Sequence, residues 1–123
     1  MFEILSDNTM CLTRGDIAQI HVSADTQDGG TYTFTAGDVV RLQVFDKKDC
    51  TKVLLSKPVT VLAEAQSVII ALSGDETKIG EPINKPVDYR YEIELNPETN
   101  PQTIIGYDES GEKIFRLYPE GGE

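Results

Sequence analysis

One histidine, His21, and two cysteines, Cys11 and Cys50, are the side chains of this chain best suited to nucleophilic or general-base work. A hydrolytic site needs such groups side by side, with a third group to orient the base. His21 falls on the polar side of an alternating segment, so it reads as an exposed imidazole. Cys11 and Cys50 match no zinc spacing and are too few for a disulfide framework. They read as free, partly buried thiols, with a single bridge between them as the alternative. Asp25, Asp28 and Gly29 could offer oxygens to calcium, but their order is not that of an EF-hand, and a solvated loop is expected. Glu92 and Glu94 are two carboxylates on one strand face, read as solvated rather than as an acid and base pair. Arg14-Gly15-Asp16 has the letters of an integrin motif, yet Gly-Asp there already serves as a turn. No glycine loop that would cradle phosphate is present. The expectation is therefore no catalytic, metal or cofactor-binding residue, no cofactor, and no enzyme activity.

The elements that carry these residues alternate with period two. Ile17 to Ser23 places Ala18, Ile20 and Val22 on one face and Gln19 and His21 on the other. Thr31 to Thr35 turns Tyr32 and Phe34 inward. Asp38 to Phe45 sets Val40, Leu42 and Val44 against Arg41 and Gln43. Tyr89 to Leu95 separates Tyr89, Tyr91, Ile93 and Leu95 from Arg90, Glu92 and Glu94. Such alternation places one face on a core and one in water. Met10 to Leu12, Lys52 to Leu55 and Pro58 to Leu62 are shorter candidates, and Pro58 demands a strand start or an edge. Gln66 to Leu72 is apolar on both faces, which predicts a central strand covered on both sides. Gln102 to Tyr107 and Lys113 to Leu117 read as a hairpin around Asp108 to Gly111.

Ser73-Gly-Asp-Glu76 has capping-box spacing and is stopped by Gly80 and Pro82, so one helical turn at most is expected. Thr13-Arg-Gly-Asp and Thr35-Ala-Gly-Asp repeat one local device, a Gly-Asp turn that launches an alternating strand. The fold class predicted from this pattern is all-β, a β-sandwich of seven to nine strands in two antiparallel sheets. An orthogonal barrel is the second architecture. One domain is expected over residues 1–119, with 120–123 a flexible tail.

Composition limits partners. The 123 residues carry a formal net charge of -10, with Lys and Arg scattered and outnumbered. Phosphate backbones and anionic membranes repel such a surface, so neither nucleic acid nor membrane is an expected partner. Residues 1–8 lack the basic and apolar regions of a signal peptide. The longest apolar run, Val68 to Leu72, is too short to span a bilayer.

Several segments together resemble small structural proteins of tailed bacteriophages and prophages. These are Thr13-Arg-Gly-Asp-Ile17, Tyr32-Thr-Phe-Thr-Ala-Gly-Asp-Val-Val-Arg-Leu-Gln-Val44, Asp75-Glu-Thr77, Tyr89-Arg-Tyr-Glu-Ile-Glu-Leu95, Gln102-Thr-Ile104 and Phe115-Arg-Leu-Tyr-Pro119. The likeness is to the immunoglobulin-like N-terminal domain of baseplate upper proteins. The approach from Asp75 through Gly80 to Tyr89-Arg-Tyr91 is also similar to the tyrosine corner of immunoglobulin-like sandwiches. The resemblance implies a virion structural or assembly protein, associated with tail, baseplate or neck. It would act as a non-catalytic interaction module, bind other virion proteins or itself, and form a homo-oligomer. It would reside in the bacterial cytoplasm during assembly and then in the virion. The contact residues expected are Glu81, Ile83, Asn84 and Lys85 in one loop, and Asp108, Glu109 and Glu112 at the hairpin tip. A ligand- or carbohydrate-binding sandwich is the second reading.

Overall fold

In a computed structural model, which describes residues 2–26, 29–46, 48–49, 51–106 and 111–120, alternation becomes burial. Strand β3 (Ala18–Val22) buries Ala18, Ile20 and Val22 and exposes Gln19 and His21. Strand β4 (Val39–Phe45) buries Val40, Leu42 and Val44. Strand β7 (Val87–Leu95) buries Tyr91, Ile93 and Leu95, while Tyr89 is half-buried. The remaining strands are β1 (Phe2–Ile4), β2 (Met10–Thr13), β5 (Val53–Thr60), β6 (Val68–Leu72), β8 (Gln102–Ile105) and β9 (Lys113–Tyr118). The described residues thus form nine strands and no helix.

The strands make two unequal layers. Seven form one sheet in the order β1-β2-β9-β7-β4-β5, with β8 also paired to β7; β3 and β6 form a separate pair. Both layers turn apolar side chains inward. Ile20, Val22, Ile70 and Leu72 of the pair meet Leu12, Leu42, Val44, Tyr91, Ile93, Phe115 and Leu117 of the large sheet. Phe34, Val61 and Ile79 enter this core from connecting segments. The architecture is an all-β sandwich with one broad and one narrow face.

The two Gly-Asp turns are built alike. Asp16 N–H donates to Thr13 O, and Asp38 N–H donates to Thr35 O, each at 3.0 Å. Gly15 and Gly37 occupy the third position of the turn with φ of 90° and 96°. That is the pattern of a type II turn, where a side chain would be strained. Ser73 and Glu76 also make their reciprocal bonds: Ser73 N–H to Glu76 Oε1 at 2.9 Å and Glu76 N–H to Ser73 Oγ at 3.2 Å. They close a turn there, not a helix.

Five expectations change. The sandwich is mixed rather than wholly antiparallel, because β2 runs parallel to β9, with Met10 opposite Phe115. Parallel neighbours need a long connection, and most of the chain lies between these two. Thr31 to Thr35 is not a laddered strand; Thr31 bridges Asp25 and Phe34 bridges Ala65. Phe34 is nonetheless fully buried, as its inward assignment requires. Lys52 to Leu62 holds one strand rather than two, and Pro58 lies within it, on the edge of the sheet. Strand β6 belongs to the two-stranded layer and leaves Ile69 48% exposed, so it is not covered on both faces. Finally, β8 and β9 do not form a hairpin with each other. Both pair antiparallel with β7, β8 along Ile93–Leu95 and β9 along Val87–Tyr91. They run in line along one edge of β7.

Candidate interaction site

Loop 81–86 leads from the capping turn into β7. Glu81, Asn84 and Lys85 are exposed, while Ile83 packs against the core. Beneath the loop, Arg14 Nη1 donates to Glu120 Oε1 at 3.1 Å and Nη2 donates to Gly80 O at 3.0 Å. The Arg14 side chain is only 11% exposed, so the Arg-Gly-Asp turn is a fastened structural corner. Arg14, Lys78, Pro82, Ile83 and Glu120 line a groove of about 330 Å³ on one side of the loop. On the other side, Asp46, Lys48, Tyr89 and Arg116 help line a second groove. There Arg116 holds Asp88 with two bonds, Nε to Oδ1 at 2.7 Å and Nη2 to Oδ2 at 3.2 Å. That pairing raises the already high pKa of the guanidinium.

Glu112 stands elsewhere. It directly precedes Lys113, which pairs with Tyr91 in mid-strand, whereas loop 81–86 ends at Val87, paired with Leu117. The two expected contact regions therefore lie at opposite ends of β9. Asp108 and Glu109 fall outside the described residues.

A third opening lies away from both grooves. A cleft of about 520 Å³ runs between β3 with its continuation (Ile20 to Asp25) and β8 (Gln102 to Ile105). Its position follows from the pairing. Strand β3 bonds only β6, and β8 bonds only β7, so each leaves one edge without a partner among the described strands. The floor comes from core residues Met10, Tyr91 and Leu95, all buried. The walls add Ala24, Tyr32, Ile104 and Ile105, which are half-buried, and Ile4, which is 42% exposed. Polar groups stand among them: His21, Ser23, Asp25, Gln102 and Thr103.

Two hydrogen-bonded posts hold this end of the sandwich. Asp38 Oδ2 accepts from the Tyr32 hydroxyl at 2.9 Å and from Thr35 N–H at 3.0 Å. Asp38 Oδ1 accepts from Asn96 Nδ2 at 3.2 Å. Asn96 in turn pins β4, its Oδ1 taking Val39 N–H at 2.8 Å and its own N–H reaching Val39 O at 2.7 Å. The Thr35 amide first, and then the Asn96 and Tyr32 side chains, hold the Asp38 carboxyl below its ordinary pKa. The same bond to Asp38, followed by burial, raises the Tyr32 phenol. The second post is Tyr91, whose hydroxyl donates to the carbonyl of Asn8. Burial above all pushes its phenol upward. The tyrosine that fastens to backbone is thus Tyr91, across to the loop between β1 and β2. The hydroxyl of Tyr89 lies beside Gly80 instead.

Chemically, this arrangement offers main-chain donors and acceptors along two strand edges, apolar side chains between them, and one carboxylate, Asp25. His21 sits on the narrow layer, whereas Cys11 is buried in β2 of the other layer, opposite Arg116 and Glu3 in register. Among the described residues, no three His, Cys, Asp or Glu side chains gather as a metal-binding group. Reasoning from sequence missed the cleft because an unpaired edge is a property of pairing, and nothing in the pattern of β3 or β8 distinguishes a paired edge from a free one. No protein-family model, no curated protein and no solved structure matches the chain.

Proposed function

We propose that this chain is a non-catalytic assembly module of a tailed-phage or prophage particle, associated with its tail, baseplate or neck. It binds other virion proteins or copies of itself. The observation that carries the interaction role is the pair of unpaired strand edges flanking an open, partly apolar cleft. Such edges present amides and carbonyls ready for another chain. The virion context and the immunoglobulin-like kinship rest on the sequence resemblance, and the sandwich architecture is compatible with both. The grooves beside loop 81–86 are a further contact region of this reading, with Glu81, Asn84 and Lys85 exposed at the rim.

Size-exclusion chromatography with light scattering, alone and with co-encoded tail proteins, tests it. A discrete oligomer or a stable complex is expected. A strictly monomeric chain at high concentration that binds none of those proteins overturns the proposal. The second reading, a carbohydrate-binding sandwich, draws on one observation: Tyr32 stands in the cleft wall beside Asp25, Gln102 and Thr103. Binding on a glycan array that is lost in Tyr32→Ala would favour it.

A further inference from the structure

We infer that the cleft between β3 and β8 receives an extended, basic segment of a different protein, added as a third strand on the free edge of β3. This rests on the assembly reading above and specifies its partner. Three observations converge on it. First, among the described residues the narrow layer has only two strands, a number that is marginal for a sheet, and β3 turns its free edge toward the cleft. Second, incomplete burial collects there. Ala24, Tyr32, Ile104 and Ile105 line the cleft half-buried, and Ile4 is more open still. An added strand with alternate apolar residues would cover them while its other side chains faced out.

Third, the exposed charge is mostly of one sign. Asp25 is the only carboxylate among the described lining residues. The described parts of the loops that reach the rim, 5–9, 23–26, 29–38 and 96–101, contain Asp7, Asp25, Asp38 and Glu98 but no Lys or Arg, and the nearby Lys113, which acts on Asp7, is buried. Glu98 shares its charge with Arg41 at 3.3 Å. An acidic rim on a chain of net charge -10 repels a second copy and attracts a basic segment. The occupant is therefore a partner's strand in which Lys or Arg alternates with Val, Ile or Leu.

Three short end-blocked peptides probe the site in calorimetry at moderate salt: alternating lysine and valine, alternating glutamate and valine, and the lysine peptide N-methylated at every second amide. The lysine peptide should bind and slow amide exchange in Ala18–Val22. The glutamate and N-methylated peptides should each bind about tenfold more weakly or worse, a difference of about 1.4 kcal/mol. Asp25→Lys, at an exposed position, should reverse the preference for charge, with Asp25→Asn as the milder check that the change is electrostatic. Equal binding of the N-methylated peptide, protection confined to β1 or β5, or no binding of the lysine peptide at millimolar concentration would each overturn the inference. If a tail protein binds Asp25→Lys as tightly as the native chain, the assembly reading stands and this site falls. If the lysine peptide binds the cleft but the chain finds neither a partner nor a second copy, the assembly reading falls instead.

Discussion

Thr77 shows how much one small side chain can organise. It is fully buried, and its hydroxyl accepts from Gly15 N–H at 3.0 Å. It also lies within donating distance of Asp16 O at 2.8 Å and Gly74 O at 3.0 Å. The turn between β2 and β3 is thereby fastened to the turn after β6. Thr77→Val keeps the shape and removes the hydroxyl, leaving the partly buried Gly15 amide unpaired. The expected loss is about 1–3 kcal/mol, read as a lower urea midpoint with an unchanged slope. Asp38 makes a prediction about pH. Its folded pKa lies below its ordinary value of 3.8, as Glu76 lies below 4.5 through the Ser73 amide and then Lys57. A lowered carboxyl contributes stability that is fully present above the unfolded value and is lost as pH falls through the folded one. Thermal melts should therefore be level in the neutral range and decline below about pH 4. In Asp38→Asn that decline should be shallower, and the melting point at neutral pH lower.

At the scale of elements, edges are managed unevenly. Strand β5 is the outer strand beyond β4 and is protected against its own kind. Val61 N–H donates to Asp38 O at 2.8 Å, and bonded pairs alternate from there, so Arg41 and Pro58 fall in a non-bonded pair. The proline nitrogen consequently points at the free edge and removes a donor from it. Pro58→Val should leave the melting temperature nearly unchanged but promote association through β5, visible as a rise in light scattering on warm incubation. Lys57, two-thirds buried beside Glu76 at 2.9 Å, adds charge near that edge. Strand β3 lacks both devices, which fits an edge kept for a partner. On the outer face of the large sheet, Arg41 meets Glu94 at 3.3 Å and the Arg90 guanidinium lies 4.8 Å from the Phe45 ring centroid. These cross-strand pairs tie β4 to β7 on that face, although Arg41 Nε and Arg90 Nε are buried without a hydrogen-bond partner.

For the whole molecule, β9 is the keystone because it joins β2 to β7. Without it, the β1-β2 pair has no bonded link to the rest of the large sheet. The floor of the core would also lose Phe115 and Leu117, both fully buried. A chain ending at Glu112 should therefore lose its cooperative thermal transition, whereas one ending at Glu120 should keep it. Circular dichroism on both truncations checks this. Pairing strands from near the two ends of the chain also implies slow folding, in the range of milliseconds to seconds typical of β topologies.

Alternation along Ile17 to Ser23, Asp38 to Phe45 and Tyr89 to Leu95 was enough to say which side chains are buried, because period two is a local property of an extended backbone. The two Gly-Asp turns, the capping pair and the restriction of Pro58 to a strand start or an edge were legible for the same reason: each depends on residues within one turn or on a missing N–H. Which strand lies beside which was not legible. The apolar residues on both faces of Gln66 to Leu72 suggested a covered central strand, but the layer that holds β6 ends after two strands and leaves Ile69 in water. Gln102 to Leu117 carried the marks of a hairpin, yet both halves found a longer partner in β7. The parallel meeting of β2 and β9, and the free edges that open the cleft, depend on hydrogen bonds between segments far apart in the chain. Backbone donors are the same in every residue but proline, so only tertiary packing could choose among their partners.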